Sequence, residues 1–452
     1  MIEQLCKKAP LPCVIRGLLE RCFSAKKLDE LFTRHAKDQY TKTILFSTIC
    51  DLMLQVVLRI QPSAHAAYQA RQESMGVSAA ALYDKLKGIE PSVAAALVRE
   101  NAKELIEIQD AIEFTPTPQL PGYHTRILDG NCIAASEKRL KVLRNQSSAP
   151  LPGKSLVILD PDRRLIVGVV PCEDGHAQER SLLDQIIPII EKGQLWIADR
   201  NFCTTGFLNG VFQQGGFVLF RQHGSLPFKE LSALSEITTN DEGQKIQEQD
   251  VDIEGRQYRR IRVELITPTR DGDTYLYLIT DILKEISAVT LAALYRKRWS
   301  IETAFQQLEA HLASEINTLA YPRAALFCFC LSLLAYNAFS MVMCTLDCVH
   351  QAPVSETLST YYMGHEVAST FLALFIFSKA EDWRKIGQYP LPKFSQWLLE
   401  AATNVNLKKY KKHPRGPKKL KEKVPFDPKN PHVSTAQLIK NSRKQKTATR
   451  TP

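Results

Sequence analysis

Apolar positions recur at helical spacing through residues 1–115, broken by punctuation that divides the segment into helices. Ile44 to Ile60 is a long apolar-rich run ended by Pro62. Ser78 is placed to cap a helix through Leu86, with Gly88 as its stop, and Pro91 opens another toward Ile112. Ala64 to Lys87, with Gly76 in the middle, has the size of a helix-turn-helix, yet its second helix offers only Lys85 and Lys87 to phosphates. A plain helical bundle and a DNA-contacting unit therefore both fit this region.

The pattern changes after Pro116, Pro118 and Pro121. Strands are predicted at Tyr123–Ile133, Ser155–Leu159 and Leu165–Val170, the last two joined by the turn Asp160-Pro161-Asp162-Arg163. A helix follows at about Gln178–Lys192, then a buried strand at Gln194–Ala198, a helix near Thr205–Gln214 and a strand at Phe217–Phe220. A mixed sheet flanked by helices satisfies this order. Residues 221–285 break the rhythm. Lys245–Ile253, Tyr258–Ile266 and Thr274–Ile282 alternate or run β-branched, as an inserted antiparallel meander would. From Ser287 to about Ala401 the chain is again mainly helical.

The predicted class is therefore mixed α+β: a helical N-terminal domain over 1–115, a mixed-sheet domain over 116–350 with the β insertion at about 221–285, helices over 351–405, and a basic, flexible tail over 406–452. Residues 324–346 carry no charge and are long enough to cross a bilayer, but Ser332, Asn337 and Ser340 suit a buried core helix better. The N-terminus lacks the pattern of a signal peptide.

Charge sharpens the picture. The net +10 is concentrated in residues 401–452, which hold 15 Lys and Arg against 2 acids; the preceding 400 residues sum to −3. Nine basic residues fall between Lys408 and Lys423, so a polyanion is the expected partner. The eleven cysteines are scattered without a CxxC pair, which argues against a zinc knuckle or a redox dithiol and for reduced, mostly buried thiols.

Two acids stand beside apolar strand residues: Asp129 follows Ile127-Leu128 on the first strand, and Asp199 ends the apolar strand Leu195-Trp196-Ile197-Ala198. Each alone also reads as a helix cap or turn residue, and that bland reading is the better one for Asp160, Asp162, Asp271 and Asp273. Together on neighbouring strands they make an oxygen site for a hard cation. Phosphodiester transfer uses such a site to hold two magnesium ions roughly 3.5–4 Å apart. A third acid comes from residues 291–312, where Tyr295, Arg298, Glu302 and Glu309 are spaced to share one helical face. Arg298 before Glu302 reads equally as a surface ion pair or as a phosphate holder beside a metal-bound carboxylate.

Three blocks, Asp129-Gly130-Asn131, Ala198-Asp199-Arg200-Asn201-Phe202 and YRKRWSIE, resemble the motifs of the DDE transposases of bacterial insertion sequences, in the branch named after insertion sequence four. That branch's signature is Tyr, two residues, Arg, three residues, Glu, six residues, Lys; Tyr295, Arg298 and Glu302 match it, and Glu309 stands where the lysine would be. The family's lysine contact to DNA is therefore not carried over. The resemblance covers about residues 120–345 well and the N-terminal 110 loosely.

It implies a ribonuclease-H-like catalytic domain interrupted by the β insertion, with Asp129, Asp199 and Glu302 holding two Mg2+ ions that Mn2+ can replace. It implies cleavage at transposon ends and strand transfer into target DNA by a homodimer on DNA, in the bacterial cytoplasm at the nucleoid and away from any membrane. DNA contacts are expected from Tyr295, Arg298 and Arg200, and from Lys408, Lys409, Lys411, Lys412, Arg415, Lys418 and Lys419 of the tail. A catalytically silent DNA-binding protein and a nuclease without strand transfer remain as alternatives on the same scaffold.

Overall fold

The structure is a computed structural model that describes residues 2–39, 44–133, 140–144, 150–269, 272–316, 321–413 and 433–448. It is a mixed α+β fold around one ten-stranded sheet. Eight longer strands form its body: β1 (His124–Ile133), β2 (Gly153–Asp160), β3 (Leu165–Cys172), β4 (Gln194–Ala198), β5 (Phe217–Arg221), β6 (Lys245–Ile253), β7 (Arg256–Glu264) and β8 (Tyr275–Thr280). Their order across the sheet is β3-β2-β1-β4-β5-β8-β7-β6, with two-residue strands at Lys229–Glu230 and Thr238–Thr239 on β6. β1 runs antiparallel to β2 and parallel to β4, and β4 runs parallel to β5. The meander predicted for the insertion is there, and it continues the sheet instead of standing apart: β8 pairs antiparallel with β5, joining Leu278 to Arg221 and Thr280 to Leu219.

Alternate residues of the central strands serve two cores, because successive side chains of a strand point to opposite faces. Leu128, Leu156, Trp196, Ala198 and Phe220 pack on one face with Leu182, Leu183 and Phe207. Ile127, Val157, Ile197 and Leu219 face the other way, into the larger core built by the helices. The segment predicted as a helix over 178–192 instead forms two 3-10 turns, Glu179–Gln185 and Ile187–Ile189. Pro188 has no N–H to donate and blocks a continuous helix there.

The larger core draws helices from both ends of the chain: α1 (Pro10–Cys22), α2 (Ala25–His35), α3 (Phe46–Val57), α4 (Ala79–Leu86), α5 (Pro91–Ala111) and, from the C-terminal half, α6 (Pro322–His350), α7 (Thr360–Phe377), α8 (Ala380–Gly387) and α9 (Leu391–Thr403). The N-terminal and C-terminal helices form one layer, with the Arg21 guanidinium donating to the Tyr389 carbonyl at 2.7 Å. Ser78 caps α4 as its position predicts, accepting from the Ala81 amide. Within the candidate helix-turn-helix, the Lys85 ammonium lies 4.3 Å from the Phe32 ring centroid and Lys87 pairs with Asp84. Both lysines are thus engaged within the fold. All eleven cysteines are free, and eight of them are buried.

Helix α6 is the uncharged stretch, and it is a core helix, 89% buried over its most apolar window. Its polar residues explain how it docks. β3 is an edge strand of the sheet, so the outward backbone groups of Ile166 need partners from outside the sheet. Asn337 provides both, its side-chain oxygen accepting from the Ile166 amide and its nitrogen donating to the Ile166 carbonyl, each at 2.8 Å. Ser340 donates to the Arg164 carbonyl beside them.

The described parts of the tail, residues 406–413 and 433–448, make contacts with the rest of the fold. Tyr410 is buried and donates to Glu366 at 2.6 Å, and the Lys412 amide donates to the Thr357 carbonyl. Val433–Ser434 pairs with Pro150–Leu151 and leads into a helix, α10 (Thr435–Ala448), whose Gln437 donates to Asp174 at 2.7 Å. Apolar burial and backbone pairing attach these segments to the fold. Arg415, Lys418 and Lys419 lie outside the described residues.

Candidate active site

The sheet brings Asp129 and Asp199 side by side. Leu128 is opposite Ala198 in the parallel β1–β4 pair, so the next residue of each chain is an acid. Asp129 follows the parity of Ile127 and Asp199 that of Ile197, so both belong to the face carrying the helical layer. Glu302 reaches them from that layer, in the first turn of the helix Trp299–His311.

This helix corrects the single helix expected over 291–312. The segment is two helices, Ala288–Arg296 and Trp299–His311, divided at Lys297 and Arg298. At the break the Lys297 and Arg298 amides turn back to the carbonyls three residues earlier, a tighter 3-10 pattern that ends the first helix. Tyr295 and Glu302 therefore sit on separate helices, with Arg298 at the joint. The buried Arg298 guanidinium donates from Nη1 to Asp129 Oδ2 and from Nη2 to Glu302 Oε1, both at 2.8 Å. Its Nε–H has no acceptor among the described residues.

Electrostatics follow from this packing. Burial pushes the Asp129 carboxyl up to about 6, and Glu302 and Asp199 push the same way; Arg298 and the Gly130 amide, which donates to Asp129 Oδ1 at 2.9 Å, pull against it. Arg298 is itself held above its ordinary value: burial opposes its charge, but Tyr295, Asp129, Asp199 and Glu302 outweigh that. Burial raises the Tyr295 phenol as well. The site therefore concentrates negative charge that one arginine compensates only in part.

Three carboxylates are hard oxygen donors, the set that a divalent cation such as Mg2+ takes. Among the described residues no three His, Cys, Asp or Glu side chains converge closely enough to enclose an ion. Arg298 instead pairs with both Asp129 and Glu302. The donor chemistry fits such an ion; the present side-chain pose is the arginine-bridged one.

The other predicted site residues are placed as follows. Arg200 begins the 3-10 turn directly after Asp199. Lys408 and Lys409 lie on the turn Leu407–Tyr410, Lys411 bridges to Leu358, and Lys412 donates from Nζ to the Glu356 carbonyl. These lysines flank the helical layer and do not join the three acids. Glu309, two turns along from Glu302, is exposed.

Glu179 was not legible from sequence. Its carboxylate lies against Gly130, where an added Cβ would push it aside, and accepts from the Asn201 side chain at 3.4 Å. It thus touches the chain beside Asp129 and the chain just past Asp199. The one signal of it in the sequence is the glycine directly after Asp129.

Residues 123–338, just under half of the chain, match the family described as the Transposase DDE domain. A Sinorhizobium fredii protein that carries a transposase name, y4zB, is 28% identical over 127 residues, covering 27% of this chain and 35% of the relative. The matched segment thus spans about a third of that relative's length. Among solved structures, a piggyBac transposase in a synaptic complex with hairpin DNA covers 88% of this chain and 86% of its own at 11% identity, with a TM-score of 0.39.

Proposed function

We propose that this protein is a DNA transposase of the DDE type, in the branch named after insertion sequence four, that cleaves at transposon ends and joins them to target DNA. The observation that carries the reading is the meeting of Asp129, Asp199 and Glu302 around Arg298 within a segment matching the Transposase DDE domain. The order β3-β2-β1-β4-β5, antiparallel then parallel, suits a ribonuclease-H-like sheet. On this reading Asp129, Asp199 and Glu302 hold Mg2+, or Mn2+ in its place. Bound there, the ions would activate the attacking oxygen and stabilise the leaving one.

The chain's own residues do the rest. Arg298, with one buried N–H free of an acceptor among the described residues, is suited to take a backbone phosphate oxygen as its carboxylate partners turn to other ligands. Tyr295, buried against it, fixes where that guanidinium lies. The raised Asp129 carboxyl means the site favours a proton or a cation there over an uncompensated charge. Arg200 and the tail cations Lys408, Lys409, Lys411 and Lys412, with Arg415, Lys418 and Lys419, add sequence-independent attraction to phosphates. Two copies acting together on the two ends, in the cytoplasm at the nucleoid, complete the reading.

The test is single-turnover cleavage, with Mg2+, of DNA carrying the inverted repeats that flank the coding gene. Cleavage at the repeat boundary followed by joining to a second duplex is expected. End binding without cleavage would make the chain a DNA-binding protein only, and cleavage without joining would make it a nuclease.

A further inference from the structure

Helix α3 ends in an unusual way. Arg59, just past its C-terminus, adopts φ 58°, the left-handed conformation usually given to glycine. An arginine in that position costs backbone energy, so its side chain must return something. The guanidinium Nη2 donates to the Glu309 carbonyl at 2.9 Å and the Leu312 carbonyl at 3.1 Å. These close the C-terminal end of the helix Trp299–His311, whose first turn holds Glu302. A backbone bond runs alongside, from the Ala313 amide to the Val57 carbonyl at 2.8 Å.

We propose that Arg59 is a positioning residue for Glu302, through which the N-terminal helices set the pose of the helix that carries that acid. The proposal rests on the transposase reading. Helix carbonyls without partners gather at a C-terminus, where the macrodipole is negative, and Glu309 adds an acid in that same last turn. A cation reaching in from the end of α3 bonds those carbonyls and sits at the negative end of the helix. A helix this short moves as a rod: Glu302 lies about 10 Å along the axis from Glu309 at the usual rise per residue. Tethered at the far end by Arg59 and at the near end by Arg298, it has little freedom to swing. Without the far tether the first turn can shift, and the acid with it.

Arg59→Gly separates positioning from folding, because glycine relieves the left-handed backbone while deleting the guanidinium. In the metal-free full-length protein, amide hydrogen exchange over residues 299–313 is expected to quicken while the urea midpoint stays at or above the parental value. On end DNA, the Mg2+ concentration giving half-maximal single-turnover cleavage should rise about three- to tenfold, the scale of one or two hydrogen bonds. Arg59→Lys should recover part of both effects. Parental exchange over 299–313 in Arg59→Gly would overturn the tether, and altered exchange with unchanged Mg2+ dependence would overturn its link to Glu302. If parental protein cleaves no end DNA while Glu302→Gln behaves identically, the functional reading fails and exchange alone decides the tether.

Discussion

Arg298 bonds Asp129 and Glu302 at the same time, with one guanidinium nitrogen on each carboxylate at 2.8 Å. The arginine thus gathers an acid from a strand and an acid from a helix that stand 173 residues apart in the chain and meet only through the fold. Removing either acid leaves the other paired with it, which predicts that single acid variants fold.

Asp129→Asn, Asp199→Asn and Glu302→Gln are each expected to abolish cleavage of end DNA while leaving end binding within about threefold, since the amide keeps shape and loses the charge that attracts a cation. Cleavage assays and band shifts on the same preparations check this. A variant cutting near the parental rate would take its residue out of the site.

Arg298→Ala should slow cleavage on the order of a hundredfold, the scale for deleting a buried charge-assisted hydrogen bond from a reacting site. Arg296→Ala should change it less than about threefold, because Arg296 pairs with Glu242 on the surface, where ion pairs contribute little. Equal losses in the two variants would contradict the placement of Arg298. Glu309→Gln should leave the cleavage rate near parental, as an exposed side chain in the last helical turn.

The Asp129 carboxyl titrates at about 6 in the fold against an ordinary 3.8. A raised carboxyl means the native state binds a proton more readily than the unfolded chain. That contribution to stability is complete below about pH 4 and is lost as pH rises through about 6. An asparagine at this position removes the effect, because an amide does not titrate. The metal-free Asp129→Asn protein is therefore expected to be more stable than the parent at about pH 7.5, on the order of 3 kcal/mol, a margin that already includes the pull of Arg298. The margin should close toward about pH 4. Urea denaturation across that range measures it, and a margin independent of pH would refute the assignment.

Asn337→Leu should destabilise the protein by about 2–4 kcal/mol, because two buried backbone groups of Ile166 lose their partners. A shift of less than about 1 kcal/mol in the urea midpoint free energy would show that these backbone groups find other partners.

Much of this was legible in the chain. Apolar runs marked the strand that carries Asp129 and the strand that ends at Asp199, and the period-two pattern marked the meander, since both depend on local burial. The helix through Glu302 was harder. The spacing of Tyr295, Arg298 and Glu302 suits a continuous helix, yet Arg298 has to serve a carboxylate on β1, and the helix breaks where it does so. The order in the tail escapes the sequence for a similar reason: composition registers its lysines but not the burial of Tyr410 against Glu366. Arg59 and Glu179 gave almost no signal, because each acts on a backbone far away in sequence.

The insertion shares hydrogen bonds with the strands that end near Asp199, through β8 on β5 and β5 on β4. A domain joined by two flexible linkers can swing freely on its hinge; this one is welded along an edge. The strand that leads to Asp199 is thus held from the insertion side by backbone hydrogen bonds and not by loops.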